Sequence, residues 1–374
     1  MADIRILAPA AARELQSRGA RLIDVREAHE RTSGCAEGAI GIAHKELLAD
    51  AAAHLPDRDA SVVLICQSGM RSLQAARTLQ ELGYSDVASV EGGTSRWRAD
   101  AMPLSMDESN GDADFADRYA RHLSLADVGV SGQKALEASR VLLVGAGGLG
   151  SPIAYYLTAA GVGTLRIVDF DVVDRSNLQR QIVHTEARIG MAKVESARIA
   201  LEALNPRVRV EAMEARVAVD TIDALLDGID VAIDGADNFD VRYVLNDACV
   251  RRGVPMVHGA VHRFEGQVSV FDAGRQRGRA PCYRCLFPEA PPREFAPNCS
   301  DVGVLGVLPG LIGLVQATET LKLLLGIGTS LAGRLLHVDA LTMRFRETRL
   351  APDPACPVCT PDTPAAGYNS DRAR

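Results

Sequence analysis

The chain has 374 residues, room for two or three domains, and its 47% hydrophobic content is enough for real cores. A formal net charge of −7 without a basic run argues against a nucleic-acid partner. The N-terminus, Met1-Ala-Asp-Ile-Arg5, lacks a charged segment leading into an apolar one, so no secretory signal is read and a cytoplasmic location is expected.

From residue 1 to 104 the pattern is strand and helix in alternation. Leu22-Ile23, Ser61 to Ile65 and Val87 to Val90 read as strands, and Ser72 to Leu82 as a helix ending at Gly83. Cys66-Gln-Ser-Gly69-Met-Arg71-Ser72 follows a strand and opens that helix. The N–H groups of such a turn converge on the sulfur, and Arg71 adds positive charge; both favour a thiolate nucleophile. The alternative is a core cysteine at a strand end.

This block resembles the rhodanese family over its whole length. The matching residues are Leu22-Ile-Asp24-Val-Arg26-Glu27, the Cys66-x-x-Gly69-x-Arg71-Ser72 loop, and Glu91-Gly92-Gly93 followed by Trp97. The resemblance implies a persulfide on Cys66. The C-x4-R loop is shorter than the C-x5-R loop of phosphatases of related fold, which favours sulfur over a tetrahedral phosphate. Gly34-Cys35-Ala36-Glu37-Gly38-Ala39 departs from the family's usual Gly-His-Ile-Pro-Gly-Ala. Asp24 and Arg26 are read as structural.

Residues 105–113 are polar and aperiodic, a linker. A second strand–helix series follows over 114–361. Strands are expected at 140–144, 164–168, 208–212, 230–234, 255–258 and 267–271, and helices at 151–160, 191–204, 239–252 and 308–325. Apolar strands alternating with helices argue for mostly parallel sheets covered on both faces.

Gly145-Ala146-Gly147-Gly148-Leu149-Gly150 joins the first of these strands to a helix. A glycine-rich turn onto a helix N-terminus cradles phosphate, but it suits NAD as readily as ATP. Asp169, at the end of the next strand, serves a ribose in either class. Arg180 and Lys193 then place two cations after that strand, and Asp237-Asn238 follows the strand at 230–234. Two cations and a metal-type carboxylate suit an enzyme that cleaves ATP, with Mg²⁺ offsetting charge on the departing pyrophosphate.

These motifs resemble the MoeB/ThiF family, relatives of ubiquitin-activating enzymes. The resemblance implies that Gly145, Gly147, Gly148 and Gly150 form the phosphate loop and that Asp169 holds the ribose. It implies that Arg180 and Lys193 contact phosphates and that Asp237 with Asn238 serves Mg²⁺ and phosphate. Arg121, in Asp117-Arg-Tyr-Ala-Arg121, resembles the arginine that reaches into a neighbouring subunit's site, which implies a homodimer. Ala120 stands where relatives often have Asn.

Two CxxC pairs, Cys282/Cys285 and Cys356/Cys359, supply the four soft ligands of a tetrahedral structural Zn²⁺ site. Cys299, in Asn298-Cys-Ser300, resembles the position of a reactive cysteine in ThiF-type relatives; the alternative is a bystander. Cys249 reads as core. The apolar run Gly303 to Val315 carries Pro309 and four glycines and is followed by Glu319 and Lys322. It reads as a buried helix, and no membrane partner is expected. Residues 362–374 are expected to be a disordered tail.

The fold class expected is therefore α/β, a rhodanese-like domain joined to a Rossmann-like ThiF/MoeB domain with a largely parallel sheet and a structural zinc site. The two resemblances together imply adenylylation of the C-terminal glycine of a ubiquitin-like sulfur carrier ending in Gly-Gly, of the MoaD or ThiS kind. A persulfide then displaces AMP to give a thiocarboxylate. A sulfur donor such as a cysteine desulfurase is implied. The rival readings are a Rossmann oxidoreductase with an appended rhodanese, and a carrier-binding scaffold without adenylylation.

Overall fold

Runs of four or five apolar residues such as Val62-Val-Leu-Ile65 and Val141-Leu-Leu-Val144 bury every side chain only where a sheet is covered on both faces. In the computed structural model both lie inside parallel sheets. The structure describes residues 3–31, 34–105, 113–290 and 303–360. The chain forms two compact units, Met1–Gln133 and Lys134–Arg374.

The first unit is built on β1 (Arg5–Leu7), β2 (Arg21–Asp24), β3 (Cys35–Ala36), β4 (Ile40–Gly41), β5 (Val62–Ile65), β6 (Val87–Val90) and β7 (Leu104–Ser105). Five of them form a sheet in the order β1-β6-β5-β2-β4, parallel throughout, while β3 and β7 pair antiparallel. The expected helix is present as Met70–Glu81. Trp97 is fully buried, with its indole N–H donating to the Pro103 carbonyl at 2.8 Å. The short helix Ala120–Leu123 lies against the Ala28–Arg31 helix. Residues 114–133, expected with the second block, therefore fall within the first unit. Most of the expected linker, and all of the expected tail, lie outside the described residues.

The second unit carries β8 (Arg140–Val144), β9 (Thr164–Asp169), β10 (Arg209–Glu214), β11 (Val231–Asp234), β12 (Met256–His262), β13 (Glu265–Phe271), β14 (Arg334–Asp339) and β15 (Arg344–Arg349). They form one sheet in the order β10-β9-β8-β11-β12-β13-β14-β15. The first five are parallel, and β13, β14 and β15 continue antiparallel. The chain runs outward from β8 through β9 to β10, then resumes on the other side of β8 with β11. That reversal opens a crevice at the carboxyl ends of β8, β9 and β11, where open α/β sheets bind ligands.

By length and composition the helix Val307–Leu325 could cross a bilayer. Here it is a core helix: buried Gln316 donates to the carbonyls of Asp234 at 2.8 Å and Val257 at 3.2 Å, and Glu319 accepts from the Leu331 N–H at 2.8 Å.

Candidate functional site

In the first unit Cys66 directly follows β5, with its side chain buried. The Gly69 N–H donates to Sγ at 3.2 Å and the Ser72 hydroxyl lies 3.4 Å from it. Ser72 is held in turn by Ser89 at 2.9 Å. Arg71 is not left to the sulfur alone. It forms a two-pronged pair with Glu30, at 2.7 and 2.5 Å, which raises its already high pKa. Asp24 and Arg26 are wholly buried against each other, with a closest approach of 2.6 Å, and Arg26 also donates to the Gly34 carbonyl. Removing one partner of such a pair strands a buried charge and costs about 3–5 kcal/mol, a structural role. The loop is closed from above by Gly93, where a Cβ would stand 2.1 Å from the Cys66 carbonyl oxygen. The Thr94 N–H donates to that same oxygen at 2.7 Å.

In the second unit the glycine loop leaves β8 and opens the helix Gly150–Ala160. A Cβ on Gly150 would lie 2.0 Å from the Gly145 carbonyl oxygen, so the turn closes only with glycine there. Asp169, at the end of β9, accepts the Ala146 N–H at 2.8 Å and the Asp171 N–H at 2.9 Å. Burial raises its pKa, and these two bonds oppose the rise. Lys193 heads the helix Lys193–Leu204 and is buried, with Nζ 2.8 Å from Asp171. Arg180 is half-buried and donates to the Ser176 carbonyl at 3.2 Å. Asp237 is exposed, and its one hydrogen bond among the described residues is a long contact from Asn238 at 3.4 Å. Asn238 caps the helix Phe239–Arg252, accepting from the Val241 N–H at 3.0 Å.

These residues meet. Gly145, Gly147, Gly148, Asp169, Arg180, Lys193, Asp237 and Asn238 all line one cavity of about 300 Å³. Gly150 lies behind the loop. Arg121 is exposed in the first unit and is not among the residues lining this cavity. Cys299 lies outside the described residues.

The cavity holds three polar residues that the sequence did not single out: Asp171, Gln181 and Arg242. Gln181 is buried, and its Oε1 has no hydrogen-bond partner among the described residues. Arg242 reaches the Asp234 carboxylate at 3.2 Å and the Ala236 carbonyl at 2.8 Å. Asp234 also binds His258 Nδ1 at 2.7 Å and the Ala236 N–H at 3.0 Å. This buried network fixes the turn that presents Asp237. Its members stand on two strands and a helix, so only their assembly reveals it.

A larger cleft of about 760 Å³ shares Asp237, Arg242 and Val261 with the cavity and extends over β12 to β15, past His262, His337, Arg344 and Arg346.

Cys282, Cys285, Cys356 and Cys359 bring their four sulfurs within 4.8 Å of one another. Cys282 to Cys356 is 3.5 Å and Cys285 to Cys359 is 3.3 Å. Four sulfurs about 2.3 Å from a tetrahedral ion stand roughly 3.8 Å apart. Hydrogen bonding among the four sulfurs lowers the pKa of the Cys285 and Cys356 thiols and raises that of Cys282 and Cys359. The cluster could hold such an ion with no position left open. Cys249, by contrast, is buried in the core, and burial pushes its thiol up.

Residues 119–358 match the ThiF family. The chain belongs to the ThiF family. Residues 8–100 match the rhodanese-like domain. The ThiF match begins inside the first compact unit, consistent with a family boundary that differs from the packing boundary. The SAMP-activating enzyme E1 of Haloferax volcanii is 51% identical over 248 residues, 66% of this chain and 90% of that protein. The sulfur carrier protein adenylyltransferase of Thermus thermophilus is 48% identical over 244 residues, 65% of this chain and 90% of that protein. The probable adenylyltransferase/sulfurtransferase MoeZ of Mycobacterium tuberculosis is 49% identical, over 65% of this chain and 62% of that protein. A crystal structure of E. coli MccB has a TM-score of 0.56 at 18% identity, covering 69% of this chain and 77% of that one, a likeness of fold.

Proposed function

We propose that this protein adenylylates the C-terminal glycine of a ubiquitin-like sulfur carrier and supplies the sulfur that converts it to a thiocarboxylate. The observation that carries the reading is the cavity where the glycine loop, Asp169, two cations and an uncommitted carboxylate converge beside a cleft of about 760 Å³. The relatives named for adenylylation and for sulfur carriers support it.

Asp169 takes the ribose, and the N–H groups of the glycine loop face the phosphates. The carrier's carboxylate oxygen attacks the α-phosphorus, and the bond from that phosphorus to pyrophosphate breaks. Arg180 and Lys193 balance the charge that develops on the leaving pyrophosphate, so no side chain need act as nucleophile. Asp237 would hold a Mg²⁺ that neutralises the triphosphate. The terminal sulfur of a Cys66 persulfide then attacks the acyl carbon and AMP leaves. A second thiol takes the Cys66 sulfur into a disulfide and releases the thiocarboxylate.

In the four-cysteine cluster the ion we propose is zinc, in a structural role. A MoaD-type carrier, a cysteine desulfurase as sulfur source and a cytoplasmic setting complete the proposal. The dimer implied by Arg121 is also proposed: mixed chains carrying Arg121→Ala and Lys193→Ala would regain activity through hybrid sites, and no gain would exclude Arg121 acting in trans.

The test is ATP–pyrophosphate exchange. It is expected only with Mg²⁺ and a carrier ending in Gly-Gly, and parallel assays with MoaD-type and ThiS-type carriers assign the carrier. NADH turnover without exchange would overturn the reading in favour of an oxidoreductase.

A further inference from the structure

The loop that carries the phosphate glycines is held from behind by one histidine. His184, buried, places Nε2 3.0 Å from the Ala146 carbonyl oxygen and Nδ1 2.9 Å from the Ser196 hydroxyl. A carbonyl only accepts, so Nε2 carries the proton and Nδ1 accepts from Ser196. Ser196 stands three residues beyond Lys193 on the same helix, and its carbonyl takes a hydrogen bond from Arg188 at 2.8 Å. Burial, with Lys193 and Arg188 nearby, keeps the imidazole neutral down to about pH 4.

A trans peptide is planar, so its C=O and the following N–H point opposite ways. Fixing the Ala146 carbonyl toward His184 turns the Gly147 N–H to the other side. Gly147 lines the nucleotide cavity, and among the described residues its N–H donates to no group. The other side of the same loop is fixed by Asp169, which takes the Ala146 N–H.

We infer that His184 is a positioning residue: it sets the Ala146–Gly147 peptide plane so that the Gly147 N–H is presented to a phosphate oxygen, and Ser196 locks the tautomer that does so. The inference rests on the cavity's being an ATP site. It also ties the loop to the helix that carries Lys193, so two phosphate-binding groups on different elements keep a common register.

The experiment measures ATP affinity by calorimetry, together with the KM for ATP and for carrier in pyrophosphate exchange, on the full chain. His184→Leu removes the donor and is expected to weaken ATP binding about tenfold or more, the loss of one hydrogen bond to a charged group. Carrier KM should stay near wild type, while the melting temperature is expected to fall, because the Ala146 carbonyl and the Ser196 hydroxyl lose their buried partner. His184→Gln retains a donor and an acceptor, and should recover most of the affinity. Ser196→Ala should weaken ATP binding by a smaller factor, and adding it to His184→Leu should cost nothing further. Unchanged ATP affinity in folded His184→Leu overturns the inference. Should that variant not fold, unchanged affinity in Ser196→Ala overturns it instead. A wild-type chain that binds no ATP overturns the underlying reading of the cavity, a result distinct from either.

Discussion

Lys193 and Asp171 form a salt bridge of 2.8 Å in which the lysine is buried and the aspartate half-exposed. The asymmetry matters. The ammonium sits inside the cavity wall, and the carboxylate that holds it faces water.

Lys193→Ala should therefore lower ATP–pyrophosphate exchange by about 10²–10³-fold, the scale for removing one preorganised stabiliser of developing charge. The Asp171 carboxylate left behind remains solvated, so the thermal midpoint should barely move. Asp171→Asn should reduce exchange less, because it loosens the lysine without removing it. A Lys193→Ala enzyme with wild-type exchange would dismiss the lysine from the chemistry.

Cys66→Ala should abolish thiosulfate:cyanide sulfurtransfer and leave ATP–pyrophosphate exchange near wild type, since Cys66 and the cavity lined by Lys193 and Asp237 stand in separate compact units. Ser72→Ala removes a hydroxyl 3.4 Å from the sulfur and should slow sulfurtransfer more modestly. Sulfurtransfer that survives Cys66→Ala but is lost in Cys299→Ala would relocate the persulfide.

Purified protein should hold about one zinc per chain, the stoichiometry of a closed four-cysteine site. Chelation, or replacement of Cys282 or Cys356 by Ser, should lower the melting temperature, because the four sulfurs lie on segments more than seventy residues apart and the metal joins them. Metal analysis combined with thiol titration decides: four freely titrating thiols in a folded, metal-free chain would refute the site.

Acid should weaken the fold through two histidines. Burial lowers the pKa of His184 to about 4 and lowers that of His258 as well. A group with a depressed folded pKa leaves the unfolded chain binding more protons, so stability is full above about pH 6.5 and declines as pH falls toward 4. For His184 the loss is on the order of 3 kcal/mol across that window. Denaturant melts at pH 7 and pH 5 should show a smaller pH-dependent drop in His184→Gln than in wild type. Equal drops would show that His184 does not titrate as described.

The parts of this site written contiguously were legible in the sequence. The glycine loop, the strand ending in Asp169 and the CxxC pairs each announce themselves over a few residues. The parallel strands and their helices fall within a few residues of their expected bounds, since buried apolar runs and helical periodicity are local signals. Strands β14 and β15 were not foreseen: β15 reads Arg-Phe-Arg-Glu-Thr-Arg, exposed throughout, and becomes a strand by pairing with β14. Arg242 was missed because in sequence it is one charged residue inside a helix. It acquires meaning only when Asp234 and His258 are brought under it from two strands. Residues 114–133 go with the second block by family resemblance, and the ThiF match begins at residue 119, while by packing they fall in the first unit.

The 2.1 Å approach of a notional Gly93 Cβ to the Cys66 carbonyl makes the sulfur-bearing turn a two-part construction. Residues 66–72 supply the sulfur, but Glu91-Gly92-Gly93, which follow the next strand, supply the lid against which that turn is moulded. Transplanting the seven-residue turn alone into a related scaffold would leave its backbone unsupported. A functional graft must carry both segments, and any side chain placed at position 93 would act on Cys66 from the start of the helix Gly93–Ala99.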